Sequence, residues 1–289
     1  MRRSRPAGVR SFFRRWKREI LEKCILKDIV LGFTEIHNGH AYVDLGLRSG
    51  GNKILFATTN IGANSPEEVG DFFAWGEISK RYTGLEYGGQ ITGASNPFDL
   101  DHSPFLYEAG FATGLCSYDQ WGDVEQEQYI DYYNKYTANG YYFAPTGEYS
   151  SGDGKTTLEP SDDVAHVLWG EGWRMPDDSD YDWLYANADS WVWTDNWNST
   201  GVCGYIVSGR GEFAQNSIFI PITGYISDLD HFDASFMAGY WTRTVEVFPS
   251  PSAARYLYFD VNIDDNTLTI SSSERFIGHS VRPVLEIPE

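Results

Sequence analysis

The stretch "WGEGWRMPDDSDYDWL", residues 169–184, decides how the chain is read. It carries three tryptophans, two glycines, a Met-Pro break and four aspartates set among aromatics. Upstream, Val164, Val167 and Leu168 have the i, i+3, i+4 spacing of one helical face, Ser161 can cap that helix, and Gly170 and Gly172 stop it. Downstream, Asp177 can cap a second helix, with Asp180 placed as its capping-box partner and Tyr181, Leu184 and Tyr185 as a buried stripe. The acids in the stretch thus read as caps and first-turn charges rather than catalysts.

Short strands surround this elbow. "HAYVDLGLRSGGNKILFATTNIG" reads as two strands about a Ser49-Gly50-Gly51-Asn52 turn. After the elbow come "GYIVS", "SIFIPITGYI", "GYWTRTVEVF", "RYLYFDVNI", "TLTIS" and "SVRPVLEI". Alternation in "ARYLYFDV" puts Leu257 and Phe259 on one face and Tyr256 and Tyr258 on the other. Residues 78–157 lack periodicity and read as a long irregular insert.

Charge divides the chain. The net charge is −19. Residues 1–27 hold ten basic and two acidic groups, leaving twelve basic and 39 acidic groups in the other 262 residues, a net −27. That acidic body excludes nucleic acid as a partner. Residues 11–31 have the pattern of a basic amphipathic helix, so the arm within 1–38 reads as a docking or oligomerising segment for a virion or neighbouring acidic subunit, with membrane-surface binding as the alternative.

Known chemistries find little footing. The three cysteines, Cys24, Cys116 and Cys203, have no CxxC spacing. "GDGKTT" at 152–157 is similar to the end of a phosphate loop but has Tyr149 where the first glycine belongs. The six histidines show no zinc spacing, and "DDSDYD" and "DVNIDD" lack the EF-hand glycine, so no cofactor is expected and calcium is left only as an option. No secretory leader and no 18-residue apolar run is seen, so synthesis in a cytoplasm is expected.

Taken in order, "YVDLGL", "FATTNIGANSPEEVGDFFAWGE", "AHVLWGEGWRMPDDSDYDWL", "GYIV", "SIFIPITGYI", "GYWTRT", "RYLYF" and "GHSVRPVLE" resemble the C-type-lectin-fold domains of the formylglycine-generating-enzyme-like group. These include Bacteroides and Fibrobacter paralogous surface proteins and the variable proteins of diversity-generating retroelements. The resemblance covers about residues 40–286. It implies an α+β fold with short strands and two core helices over 39–289, with the insert at about 78–157. It implies buried Trp169 and Trp173, an Arg174 paired with carbonyls or an acid, and a closing strand at "SVRPVL" that joins the N-terminal strand near "YVDLGL".

The resemblance also implies a ligand-binding face near the carboxyl end. Gly239, Tyr240, Trp241, Leu257, Phe259, Gly278, Val281 and Pro283 match the frame. Thr242, Arg243, Thr244, Val245, Glu246, Phe248, Arg255, Tyr256, Tyr258, Ile277 and His279 match the displayed positions. Tyr, Phe, Arg and His suit recognition, giving contact area and adaptable hydrogen bonds at low entropy cost. The expectation is a non-enzymatic receptor-binding protein, a phage tail component or surface adhesin, directed at a protein or glycan receptor on a cell surface. The alternatives are a formylglycine-generating-like enzyme or hydrolase, and a structural bacterial surface protein.

Overall fold

The computed structural model describes residues 34–289, apart from 95–97, 100, 101, 105, 114–126, 134, 138–140, 144–147, 151, 152, 188, 189, 247–252 and 262–267. The basic arm read at 1–31 lies outside the described residues.

The chain enters through β1 (Glu35–His37), β2 (His40–Ser49) and β3 (Asn52–Ala57), and reaches β4 (Phe72–Phe73) through a glycine-punctuated loop. Three hairpins follow: β5 (Gly84–Leu85) with β6 (Ile91–Thr92), β7 (Leu106–Thr113) with β8 (Glu127–Tyr133), and β9 (Tyr141–Phe143) with β10 (Glu148–Ser150). The elbow comprises α1 (Val164–Trp169), β11 (Trp173–Arg174) and α2 (Asp178–Asn187). Then come β12 (Ser190–Thr194), β13 (Gly204–Ser208) and β14 (Ser217–Pro221) as a meander, and β15 (Tyr225–Ser227) with β16 (Asp230–Phe232) as a hairpin. The chain ends in β17 (Met237–Val245), β18 (Ala253–Asp260), β19 (Thr269–Glu274), β20 (His279–Ser280) and β21 (Val284–Pro288).

This is a mostly-β protein, 44% strand against 13% helix, and the α+β expectation is wrong. Among the described residues the two α-helices have only six and ten residues, too short to form a layer of their own. Residues 78–157 are also not the irregular insert expected, since they contain β5 to β10. Period-2 patterning is hard to see in the two- and three-residue strands β5, β6, β9 and β10.

Two five-stranded sheets organise the body, in the orders β1-β2-β3-β21-β11 and β19-β18-β17-β20-β4. The β2–β3 hairpin forms where the sequence places it: Ser49 pairs with Asn52, and Gly50 and Gly51 both take positive φ, 59° and 83°. A two-residue turn of that kind matches the strand twist and favours glycine. The closing strand β21 pairs with β3, which lies between it and the "YVDLGL" strand β2 expected as its partner. Burial of Met237–Thr242 on both faces makes β17 the central element. Tyr240 faces a core shared with Val43, Leu257 and Phe259, while Trp241 faces a second core with Trp75, Trp173 and Leu285.

The elbow is more than a helix junction, because Trp173 and Arg174 form the fifth strand of the first sheet, paired with Leu285 and Val284. The cap of α1 is Asp163, not Ser161. Asp163 Oδ1 accepts the backbone N–H groups of Ala165 (2.9 Å) and His166 (3.3 Å), and its other oxygen accepts that of Met175 (2.9 Å). One buried carboxylate therefore ties the start of α1 to the chain beyond the elbow. Val167, Leu168 and Tyr185 are exposed, and the buried residues are Val164, Ala165, Trp169, Tyr181 and Leu184. In helices this short, the ends tied by Asp163 and Trp169 set the orientation, overriding the apolar spacing. Asp180 does supply its half of a capping box, accepting the backbone N–H of Asp177 at 2.8 Å, but the return bond is replaced by one to the Asp177 carbonyl because the Asp177 carboxylate is taken by Arg243.

Arg174 closes the elbow. It donates to Glu286 (2.6 Å), to Asp180 (2.7 Å) and to the Met175 carbonyl (3.1 Å), joining β11, α2 and β21. Arg174→Met should lower stability by about 3 kcal/mol, since it leaves Asp180 buried without its cation. Urea unfolding of both proteins measures this; an unchanged midpoint would mean that the cluster is dispensable.

Candidate functional site

The β17–β18 hairpin has two faces that differ in chemistry. On the α2 side, Leu257 and Phe259 pack into the core, and the polar groups are bound to the start of α2. Thr242 donates to Asp178 at 2.6 Å, and Arg255 donates to Asp178 (3.1 Å) and to Glu246 (2.8 Å). Arg243 makes a two-pronged bond to Asp177, at 2.6 and 2.8 Å. Burial alone would raise the Asp177 carboxyl, but Arg243 and Arg174 hold it below its ordinary value.

The displayed positions therefore separate. Thr242, Val245 and His279 are buried, which corrects their placement on a solvent-facing surface. Arg243, Glu246 and Arg255 are half-buried and committed to ion pairs within the fold. Thr244 is half-buried and bridges to Thr157, and Ile277 is half-buried in the turn before β20. Phe248 lies outside the described residues. Only Tyr256 and Tyr258 remain on the opposite face of β18, as the alternation predicts.

On that face an aromatic platform forms. Tyr256 stacks on His279 with ring centres 4.5 Å apart and 14° between planes, and Tyr258 meets Tyr256 edge-on at 6.2 Å. His279 also sits against Trp241, at 4.5 Å and 88°. Tyr225 of β15 is 6.2 Å from His279 and stacks on the exposed Phe232 at 5.5 Å. The platform is thus built from two hairpins and the short strand β20. Gly239 makes it possible: a Cβ there would lie 2.2 Å from the His279 ring.

Electrostatics give the platform a polar rim. Tyr258 donates to Asp260 at 3.1 Å, and burial together with that carboxylate pushes its phenol up to about 12. Burial first, and then Asp233, raise Tyr225. Burial raises Tyr256, partly offset by its hydrogen bond with Ser271. All three phenols therefore stay protonated at neutral pH and can donate as well as accept. The surface pairs flat apolar rings with hydroxyls and two carboxylates, a combination able to grip a partner by stacking and hydrogen bonding.

Tyr225, Phe232, Asp233 and Asp260 were missed in the sequence. The signal for the first three, the aromatic and acidic alternation of "GYISDLDHFD", is local, and nothing in it places that hairpin beside β18; Asp260 lies at the end of "RYLYFD". Among the described residues no group of three or more His, Cys, Asp or Glu side chains could hold a metal ion. Cys203 is unpaired and half-buried, and Cys24 and Cys116 lie outside the described residues. Comparison with protein-family models, with curated proteins and with solved structures found no match.

His279 is the oddity of the site, since neither ring nitrogen has a hydrogen-bond partner. Burial pushes its imidazole down to about 3. The folded protein keeps this ring neutral while the unfolded chain takes up a proton near the ordinary histidine value of about 6.5, so its contribution is full above that pH and is lost as pH falls toward 3. His279→Phe removes both orphaned nitrogens and should change stability at neutral pH by no more than about 1 kcal/mol, whereas His279→Ala should cost about 3 kcal/mol. Urea midpoints measured from about pH 7 to about pH 4 should fall less steeply for His279→Phe than for the parent protein. Parallel pH profiles would show that the ring titrates normally.

Proposed function

We propose that the protein is a binding protein, not a catalyst, and that the Tyr225–Phe232–Tyr256–Tyr258 platform is its contact surface. The observation that carries this reading is the construction of that surface. The Tyr256 phenol rests on a floor of Trp241 and His279, Tyr258 is held by its edge contact with Tyr256 and its bond to Asp260, and Tyr225 lies against His279 and Phe232, so the rings are placed before any partner arrives. Held aromatic groups lose little rotamer freedom on association, which favours affinity. Asp233 and Asp260 at the rim supply direction through hydrogen bonds.

The partner in this proposal is a protein or glycan receptor on a cell surface, and the protein acts as a virion component or surface adhesin. The sequence resemblance to variable retroelement proteins supports that reading. So does the charge of the chain, whose acidic body can be held by the basic segment 1–31 of the same or another subunit. A homo-oligomer built through that segment belongs to the same proposal.

Fluorescently labelled full-length protein, titrated onto a panel of bacterial cells and read by flow cytometry, tests it. Tyr258→Ala should weaken binding to any cell that the parent protein stains by about 2 kcal/mol, roughly thirtyfold. Arg243→Lys, on the far face of the hairpin, should leave it unchanged. Staining that survives in a Tyr225→Ala/Tyr258→Ala variant would remove the platform from recognition.

A further inference from the structure

A cavity lies beside Ala234 and Ser235, the residues just after the β15–β16 hairpin, where Tyr87 is bonded. The loop before β4 and the segment entering β13 face each other across a pocket of about 500 Å³. Glu67, Glu68 and Val69 form one wall, Val202 and Cys203 form the other, and the Tyr87 ring and Ser235 complete the rim. A space of that size is sufficient for a small organic group. No lysine, arginine or histidine lines it.

The acidic wall is built by buried bonds. Arg282, fully buried, donates to Asn60 Oδ1 at 2.7 Å, and the Asn60 amide donates to the Val69 carbonyl at 2.9 Å. Asp71 donates its backbone N–H to the Ile61 carbonyl at 2.7 Å, closing the loop. Gly70 is required at that closure, since a Cβ there would lie 2.3 Å from the Ile61 carbonyl oxygen. Glu68 uses one oxygen to accept the Asn64 backbone N–H at 2.7 Å. Among the described residues neither Glu67 nor Glu68 forms an ion pair, although both line the same cavity. Across from them, burial and then Asp195 raise the Cys203 thiol, so it stays uncharged and contributes an apolar wall. The Tyr87 hydroxyl is held by the Ala234 carbonyl, which fixes the ring at the rim.

We infer that this pocket binds an organic cation, an alkylammonium or alkylguanidinium group whose stem lies along Val69, Val202 and Tyr87 and whose charge meets Glu67 and Glu68. The two carboxylates select for positive charge. The aromatic rim and apolar walls select for a carbon-bearing cation over a hydrated metal ion. Arg282 and Asn60 hold the backbone of this wall at Val69, so the ordering that accompanies binding is confined to the glutamate side chains. The cation can be a free polyamine-like molecule or the side chain of an arginine or lysine in a polypeptide.

Cys203 provides the readout. Full-length protein is alkylated with N-ethylmaleimide, and the rate at Cys203 is followed by peptide mass spectrometry, which separates it from Cys24 and Cys116. Agmatine should slow this reaction saturably, and butylurea, its uncharged analogue, should not. In Glu67→Gln/Glu68→Gln the agmatine dissociation constant should rise about tenfold. Equal protection by butylurea, no protection by agmatine, or an unchanged constant in the double variant would overturn the assignment. The peptide acetyl-Gly-Arg-Gly-amide separates the sources. Its competition with agmatine identifies the guest as a polypeptide side chain, and its failure where agmatine protects identifies a free small cation.

Discussion

One buried arginine holds the architecture together. Arg174 reaches Glu286 on the closing strand and Asp180 on the second helix, and its own backbone pairs with Val284. The elbow strand, the helix just after it and the closing strand, 112 residues further on, therefore share one cation. Withdrawing a guanidinium from water is costly unless its hydrogen bonds are met, and here two carboxylates and a carbonyl meet them. Asp163 performs the matching task with backbone donors on both sides of the elbow. Between these two anchors, Trp169 and Trp173 meet edge-on at 4.9 Å, and His40 stacks on Trp169. The elbow thereby becomes a strand of the first sheet and a lid on the second core.

From that frame the β17–β18 hairpin inherits its asymmetry. The start of α2 lies against one face and binds Thr242, Arg243 and Arg255 through Asp177 and Asp178. Charged residues that look ready for a partner in the sequence are consumed there. Among the described residues no helix covers the opposite face, and there Tyr256 stacks on His279, which Tyr225 of the β15–β16 hairpin approaches to 6.2 Å. The binding reading rests on this difference between faces, and not on how many aromatic residues the segment contains.

The cost of the arrangement is visible at His279. A neutral imidazole is buried without a hydrogen bond because stacking on Tyr256 and edge contact with Trp241 fill its surroundings with rings. Such a group lowers stability relative to an apolar ring of similar shape. Strain and unmet polarity are tolerated more often at sites that act than elsewhere, which is consistent with a floor for the platform.

Much was legible before the fold was known. Alternation in "ARYLYFDV" separated Leu257 and Phe259 from Tyr256 and Tyr258, since side chains along a strand must alternate. The Gly50-Gly51 turn was readable because few residues other than glycine accept positive φ at two successive positions. The capping carboxylate Asp180 was readable because its partner lies three residues away. Tertiary structure decided the rest. Whether Arg243 faces water or Asp177, whether His279 is displayed or buried, and whether Trp173 ends a helix or begins a strand all depend on partners distant in the chain. Periodicity reports which face a residue occupies, but what covers that face is fixed only when sheets, helices and hairpins meet.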